Sequence, residues 1–114
     1  SMVSLAKTKI ILGEFIDSQI VPIITNSFTK WAFKGGAVLA LNSLDKVLLP
    51  YLPMLTAVGV MDQEMNVYPD KLKLFFESAF AAEPKVEVAL PGCTMKFSKA
   101  DADTLIALLE RENG

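Results

Sequence analysis

Charge is missing from long stretches of the first half of this chain. No Asp, Glu, Lys or Arg occurs between Asp17 and Lys30 or between Lys34 and Asp45, and residues 47–61, VLLPYLPMLTAVGVM, carry none. A helix lying on a domain surface shows charge along its outer face. These segments cannot, so either they are buried on nearly all sides or they leave apolar surface exposed. A chain of 114 residues is too small to wrap several helices completely. Residues 1–61 hold five lysines against Glu14, Asp17 and Asp45, a net charge of +2, whereas residues 62–114 hold six basic and ten acidic side chains, a net charge of −4. One domain over residues 1–114 is expected, with an apolar helical part at 1–61 and a helix–hairpin–helix part at 62–114.

Periodicity supplies the elements. Leu12, Ile16, Ile20, Ile24, Phe28 and Trp31 recur at steps of four, four, four, four and three, the signature of one helical face. The spacing predicts one long helix or two over residues 4–34, broken or kinked at Pro22, which removes a backbone donor and presses on the carbonyl of Ser18. Lys30 and Lys34 suit the negative end of that helix, and Gly35 suits its left-handed stop. A second helix is expected over 37–49, with Val38, Leu41, Leu44, Val47 and Leu48 as its stripe and an end forced by Pro50. A short helix over 53–58 closes at Gly59.

The second half is clearer. Leu72, Phe75, Phe76, Ala79 and Phe80 fall at i, i+3, i+4, i+7 and i+8, and Pro69 and Asp70 suit a first turn, so a helix is predicted over 70–82. In residues 85–97 Val86, Val88 and Leu90 alternate with Glu87 and Ala89. Pro91-Gly92 supplies a type II turn and Met95 to Phe97 returns. Such a hairpin is marginal alone and must pack on a helix. Ser98 caps the last helix, Asp101 completes an S-x-x-D capping pattern, and Ala102, Leu105, Ile106 and Leu109 form its inner face. The fold class is therefore α+β and mainly helical: three to five helices and one antiparallel hairpin at about residues 85–97, packed by a C-terminal helix.

Composition excludes several chemistries. With no histidine and one cysteine, a zinc-type cluster and Ser-His or Cys-His catalysis lack their side chains. Cys93 follows Gly92 in a turn, with only Lys96 near in sequence to lower its pKa. The segment GVMDQEMNVYPDKL places Asp62, Glu64, Asn66 and Asp70 at calcium-loop spacing, but Val67 stands where such a loop needs glycine and Lys73 where it needs a bidentate glutamate. It reads as a polar turn. KGGAV lacks the spaced glycines of a nucleotide loop and reads as a corner between helices. FTKWAFKGG interleaves Lys30 and Lys34 with aromatics, but two lysines on a chain of net charge −2 argue against a nucleic-acid partner. No cofactor, metal site or catalytic residue is assigned.

A single thiol makes no internal disulfide, and the apolar run after Lys7 and Lys9 ends at Glu14, too soon for a secretory signal. A cytoplasmic location is the expectation. Three function classes follow. The first is a non-enzymatic interaction or oligomer-forming protein that uses its apolar N-terminal helices to bind itself or another protein. The second uses the same helices at a membrane surface, and the third is an enzyme with a carboxylate-based site. Under the first, the expected assembly is a homo-oligomer, most simply a two-fold dimer, with Ile16, Ile20, Ile23, Ile24 and Phe28 at or near its interface.

Overall fold

The computed structural model describes residues 1–90 and 93–113. It runs α1 (Leu5–Phe15), a π-helical turn (Ile16–Ile20), a 3-10 turn (Val21–Ile23), α2 (Ser27–Asn42), α3 (Leu44–Leu48), a 3-10 turn (Leu49–Tyr51), α4 (Leu52–Ala57), α5 (Pro69–Ala79), β1 (Lys85–Leu90), β2 (Cys93–Ser98) and α6 (Lys99–Asn113). Counting α3, its 3-10 turn and α4 as one run, the described residues form five helices and one two-stranded antiparallel sheet. This is the expected α+β class. The proposed Pro91-Gly92 turn and the Cys93 side chain lie outside the described residues.

The second half follows its pattern, with one boundary changed: α5 ends at Ala79, three residues before the expected end at 82, and Ala79 is exposed. Pro69 opens α5, where its missing N–H costs no helical bond. The strands pair with Val86 opposite Phe97 and Val88 opposite Met95, so these four side chains share a face. Only the β2 side of that face is covered. Met95 is buried, whereas Val86 and Val88 remain 41% and 37% exposed. Phe97 anchors the hairpin: its ring lies 6.2 Å from Phe15 of α1 and 6.1 and 6.0 Å from Phe76 and Phe80, within the range of favourable aromatic pairs. At α6, the Ser98 amide donates to Asp101 Oδ2 at 2.9 Å and the Asp101 amide to Ser98 Oγ at 3.2 Å. That is a reciprocal capping box. The inner face Ala102, Leu105, Ile106 and Leu109 is 0–8% exposed.

The first half departs from the reading in two ways. Its helices are phased differently: α1 buries Thr8, Ile11 and Phe15, while Phe28 and Trp31, read as a continuation of the same face, are 73% and 72% exposed. The cause is the passage through Pro22. The amide of Val21 bonds back to the carbonyl of Ile16, and a 3-10 turn follows. Ile24 then takes extended geometry, with φ −84° and ψ 109°, and the rotation accumulated along the first helix is lost. The second departure is the stop. Gly35 does not end a helix and residues 34–38 are not a corner; α2 runs through both glycines to Asn42. Its start is fixed by Asn26, whose side chain accepts the Thr29 amide at 2.9 Å. Glycine permits a helix to stop without obliging it to, and the chain turns at Ser43 instead.

The core joins the two halves. Val3 comes from the N-terminus, Ile11 and Phe15 from α1, Val60, Met61 and Val67 from the connection before α5, and Leu105 and Leu109 from α6. Burying each Leu- or Ile-sized side chain contributes about 1.5–3 kcal/mol. Val3 and Val67 exchange backbone bonds of 2.7 and 2.8 Å, which ties the N-terminus to residues 60–68. Arg111 of α6 meets Glu14 of α1 at 3.3 Å, an exposed pair of small weight.

Candidate functional site

The acidic loop is built for its own rigidity. Asp62 Oδ1 accepts the backbone amides of Glu64 and Asn66, and Oδ2 accepts Asn66 Nδ2 and the Tyr68 hydroxyl, all at 3.0 Å. The Asn66 side chain is the main cause of a carboxyl held below its ordinary range; the Asn66, Tyr68 and Glu64 donors add to it, and partial burial opposes it. The same contact raises the Tyr68 phenol. Val67, at the position a calcium loop gives to glycine, is 5% exposed and paired in extended bridges with Val3 and Met61. Met65 carries the turn with a left-handed φ of 61°. The polar groups thus close a turn, while Val60, Met61, Met65 and Val67 point into the core. Among the described residues no three His, Cys, Asp or Glu side chains gather as for a metal ion.

Of the other carboxylates among the described residues, Glu83 and Glu87 share an open surface cleft with Lys85 and Lys96, and all four are exposed. Glu77, Glu87, Asp103, Glu110 and Glu112 are exposed, and Asp101 is engaged in the α6 cap.

What distinguishes the surface is its apolar content. On α2, Phe28, Trp31, Gly35, Val38 and Leu39 lie on one outward arc at helical spacing. Phe28, Trp31, Val38 and Leu39 are 73%, 72%, 58% and 71% exposed. The opposite arc packs inward through Phe33, so α2 is apolar on both sides. Phe28 and Trp31 lean together with centroids 5.9 Å apart. Beside them Trp31, Ala32, Lys34, Gly35, Gly36 and Val38 line a shallow groove of about 590 Å³; the missing glycine side chains make its floor, since a Cβ on either would meet nothing within 4 Å. Leu49, Tyr51 and Met54 add further exposed apolar groups beyond α2.

The five residues singled out from sequence do not share one environment. Ile23 and Phe28 are exposed, Ile16 and Ile20 are half-buried, with Ile20 packed on the core, and Ile24 is buried within the chain. Sequence spacing places Trp31 and Val38 on apolar stripes and gives Leu39 no role, so none of the three is marked as a surface residue. Asn26, a capping residue followed by Ser and Thr, was the signal that would have restarted the helical phase.

Comparison of the chain with protein-family models, with curated proteins and with solved structures finds no match.

Proposed function

We propose that this chain is a non-enzymatic interaction protein that assembles with a second copy of itself through the outer face of α2, extended by the α3–α4 run. The observation that carries this reading is the charge-free arc of Phe28, Trp31, Val38 and Leu39, each more than half exposed. The two aromatic residues alone leave roughly 200–350 Å² uncovered, a substantial part of the ~800 Å² per partner that a stable interface buries. Exposed apolar patches of this kind mark contact sites. A two-fold arrangement would set one arc against its copy, with the glycine notch admitting the partner's ring. Light scattering at about 50 µM tests it. The parent should have the mass of a dimer, and a Phe28→Asp, Trp31→Asp double variant with unchanged circular dichroism should have that of a monomer.

A second reading is attachment to a membrane surface. No single helix among the described residues is long and apolar enough to cross a membrane, but α2 and the α3–α4 run together form an apolar pair bent by 82°. Lys30, Lys34 and Lys46 are the basic groups on that pair. Flotation with anionic vesicles separates the readings: co-flotation of the parent supports attachment, and a dimer that stays with the protein fraction supports self-assembly.

A further inference from the structure

A cleft open to solvent reaches down to core side chains. Residues of α1, α3, α4, α5, α6 and the 60–67 connection line this half-open cleft of about 190 Å³, with no polar lining surface. Its floor is core: Val60, Val67 and Leu109 are 4%, 5% and 1% exposed. Its rim is a set of half-buried side chains, Leu48, Leu55, Leu72 and Phe76. The one hydroxyl in the wall, Thr8 Oγ1, donates to the Ser4 carbonyl of its own helix at 2.8 Å. Its wall offers water no free polar partner, and an apolar space of about 150 Å³ is enough to accept a benzene ring.

We infer that this cleft is a binding site for a small uncharged hydrocarbon group, up to about the size of a single aromatic ring. Volume and lining together define the ligand class. The volume admits one ring or a short alkyl segment. The lining offers no partner to a charge, hydroxyl or amide, so a polar group carried into it would lose its hydrogen bonds to water without replacement. The half-buried rim gives the route in, because side chains that already touch solvent can change rotamer without opening the floor. The inference does not rest on self-association: the floor lies on α6 and the 60–67 connection, and because the rim residues Leu48 and Leu55 belong to the α3–α4 run the test is made at two protein concentrations.

Benzene and phenol are the probes, titrated into the methyl-labelled full chain and followed by NMR at two protein concentrations, with thermal melting in parallel. Benzene should give saturable shifts centred on the methyls of Leu48, Leu55, Leu72 and Leu109 and a raised Tm, and phenol should bind at least roughly tenfold more weakly because its hydroxyl finds no partner. A Val67→Phe variant, which fills the floor, should lose the benzene response; if it does not fold, the shift map and the benzene-to-phenol ratio of the parent decide. No saturable response, equal binding of the two probes, or shifts centred on Val38 and Leu39 of the outer surface would overturn the inference.

Discussion

Helices α6 and α2 carry the same kind of apolar spacing and come to opposite ends. Along α6, Ala102, Leu105, Ile106 and Leu109 are 0–8% exposed, while along α2 the arc from Phe28 to Leu39 is 58–73% exposed. The difference lies in the other face of each helix. α6 has a charged outer side, with Asp103, Glu110, Arg111 and Glu112 facing water, so its orientation is fixed: only one side can be buried. α2 buries Phe33 on one side and still presents aromatic and aliphatic groups on the other. Periodicity marks a face as apolar. The charge opposite it tells whether the chain itself covers that face.

The sharpest way to break this contrast is a matched truncation. Leu109→Ala should cost about 2–5 kcal/mol, because it opens a cavity beneath a residue 1% exposed. Leu39→Ala should change the stability of the dilute chain by no more than about 0.5 kcal/mol. Urea denaturation of both variants measures the pair; equal costs would mean that α2 is buried as α6 is.

Next in size is the cap. Ser98→Ala removes one half of the reciprocal pair with Asp101 and should cost about 0.5–2 kcal/mol, read as a lower Tm. No single cap of α2 is coupled in this way: Asn26 accepts one amide, so Asn26→Ala should fall toward the lower end of the same range. Gly59→Ala should then cost about 1 kcal/mol, through its φ of +81° rather than through space, since the nearest atom to an added Cβ is Lys71 Cγ at 3.6 Å.

How much of this was legible in the sequence follows the same line. The hairpin, the capping box and the inner face of α6 were readable because each is set by local chemistry: strand alternation, a Ser three residues before an Asp, apolar steps against a charged outer side. The departure came at residues 16–43. Pro22 is legible as a break, but spacing does not say what geometry the break takes, and the π and 3-10 turns and the extended Ile24 reset the direction of every later side chain on α2. Gly35-Gly36 then offered a stop that the chain does not use. The acidic segment reads as a turn and is one; the partners of its Asp62 carboxylate are local, whereas the pairing of Val67 behind it is with Val3, more than sixty residues away.

The smallest expected effect comes from that loop. The folded-state pKa of Asp62 is depressed, so its contribution is fully present above the ordinary carboxylate range and is lost as pH falls through the depressed value. Tyr68 has the opposite sign: its phenol is raised, so its contribution is lost only as pH rises beyond the ordinary value of 10.0. NMR titration should therefore show the Glu64 and Asn66 amides steady through neutral pH and moving together below about pH 4. Movement near pH 6 would contradict the four-donor arrangement around Asp62. The α2 arc should show no such titration.

The central claim is that the outer arc of α2 is covered by a second copy of the chain. Trp31 is the only tryptophan and sits in the middle of that arc, 72% exposed in the single chain, so its fluorescence reports on the covering directly. Acrylamide quenching measured across a dilution series from about 100 µM to 0.1 µM, a range that brackets ordinary association constants, is the decisive measurement. The account predicts a blue-shifted, protected Trp31 at the concentrated end that becomes fully quenchable on dilution, with a midpoint that matches the mass transition seen by light scattering. A Trp31 equally open to quencher at every concentration, in a chain of monomer mass throughout, would contradict it.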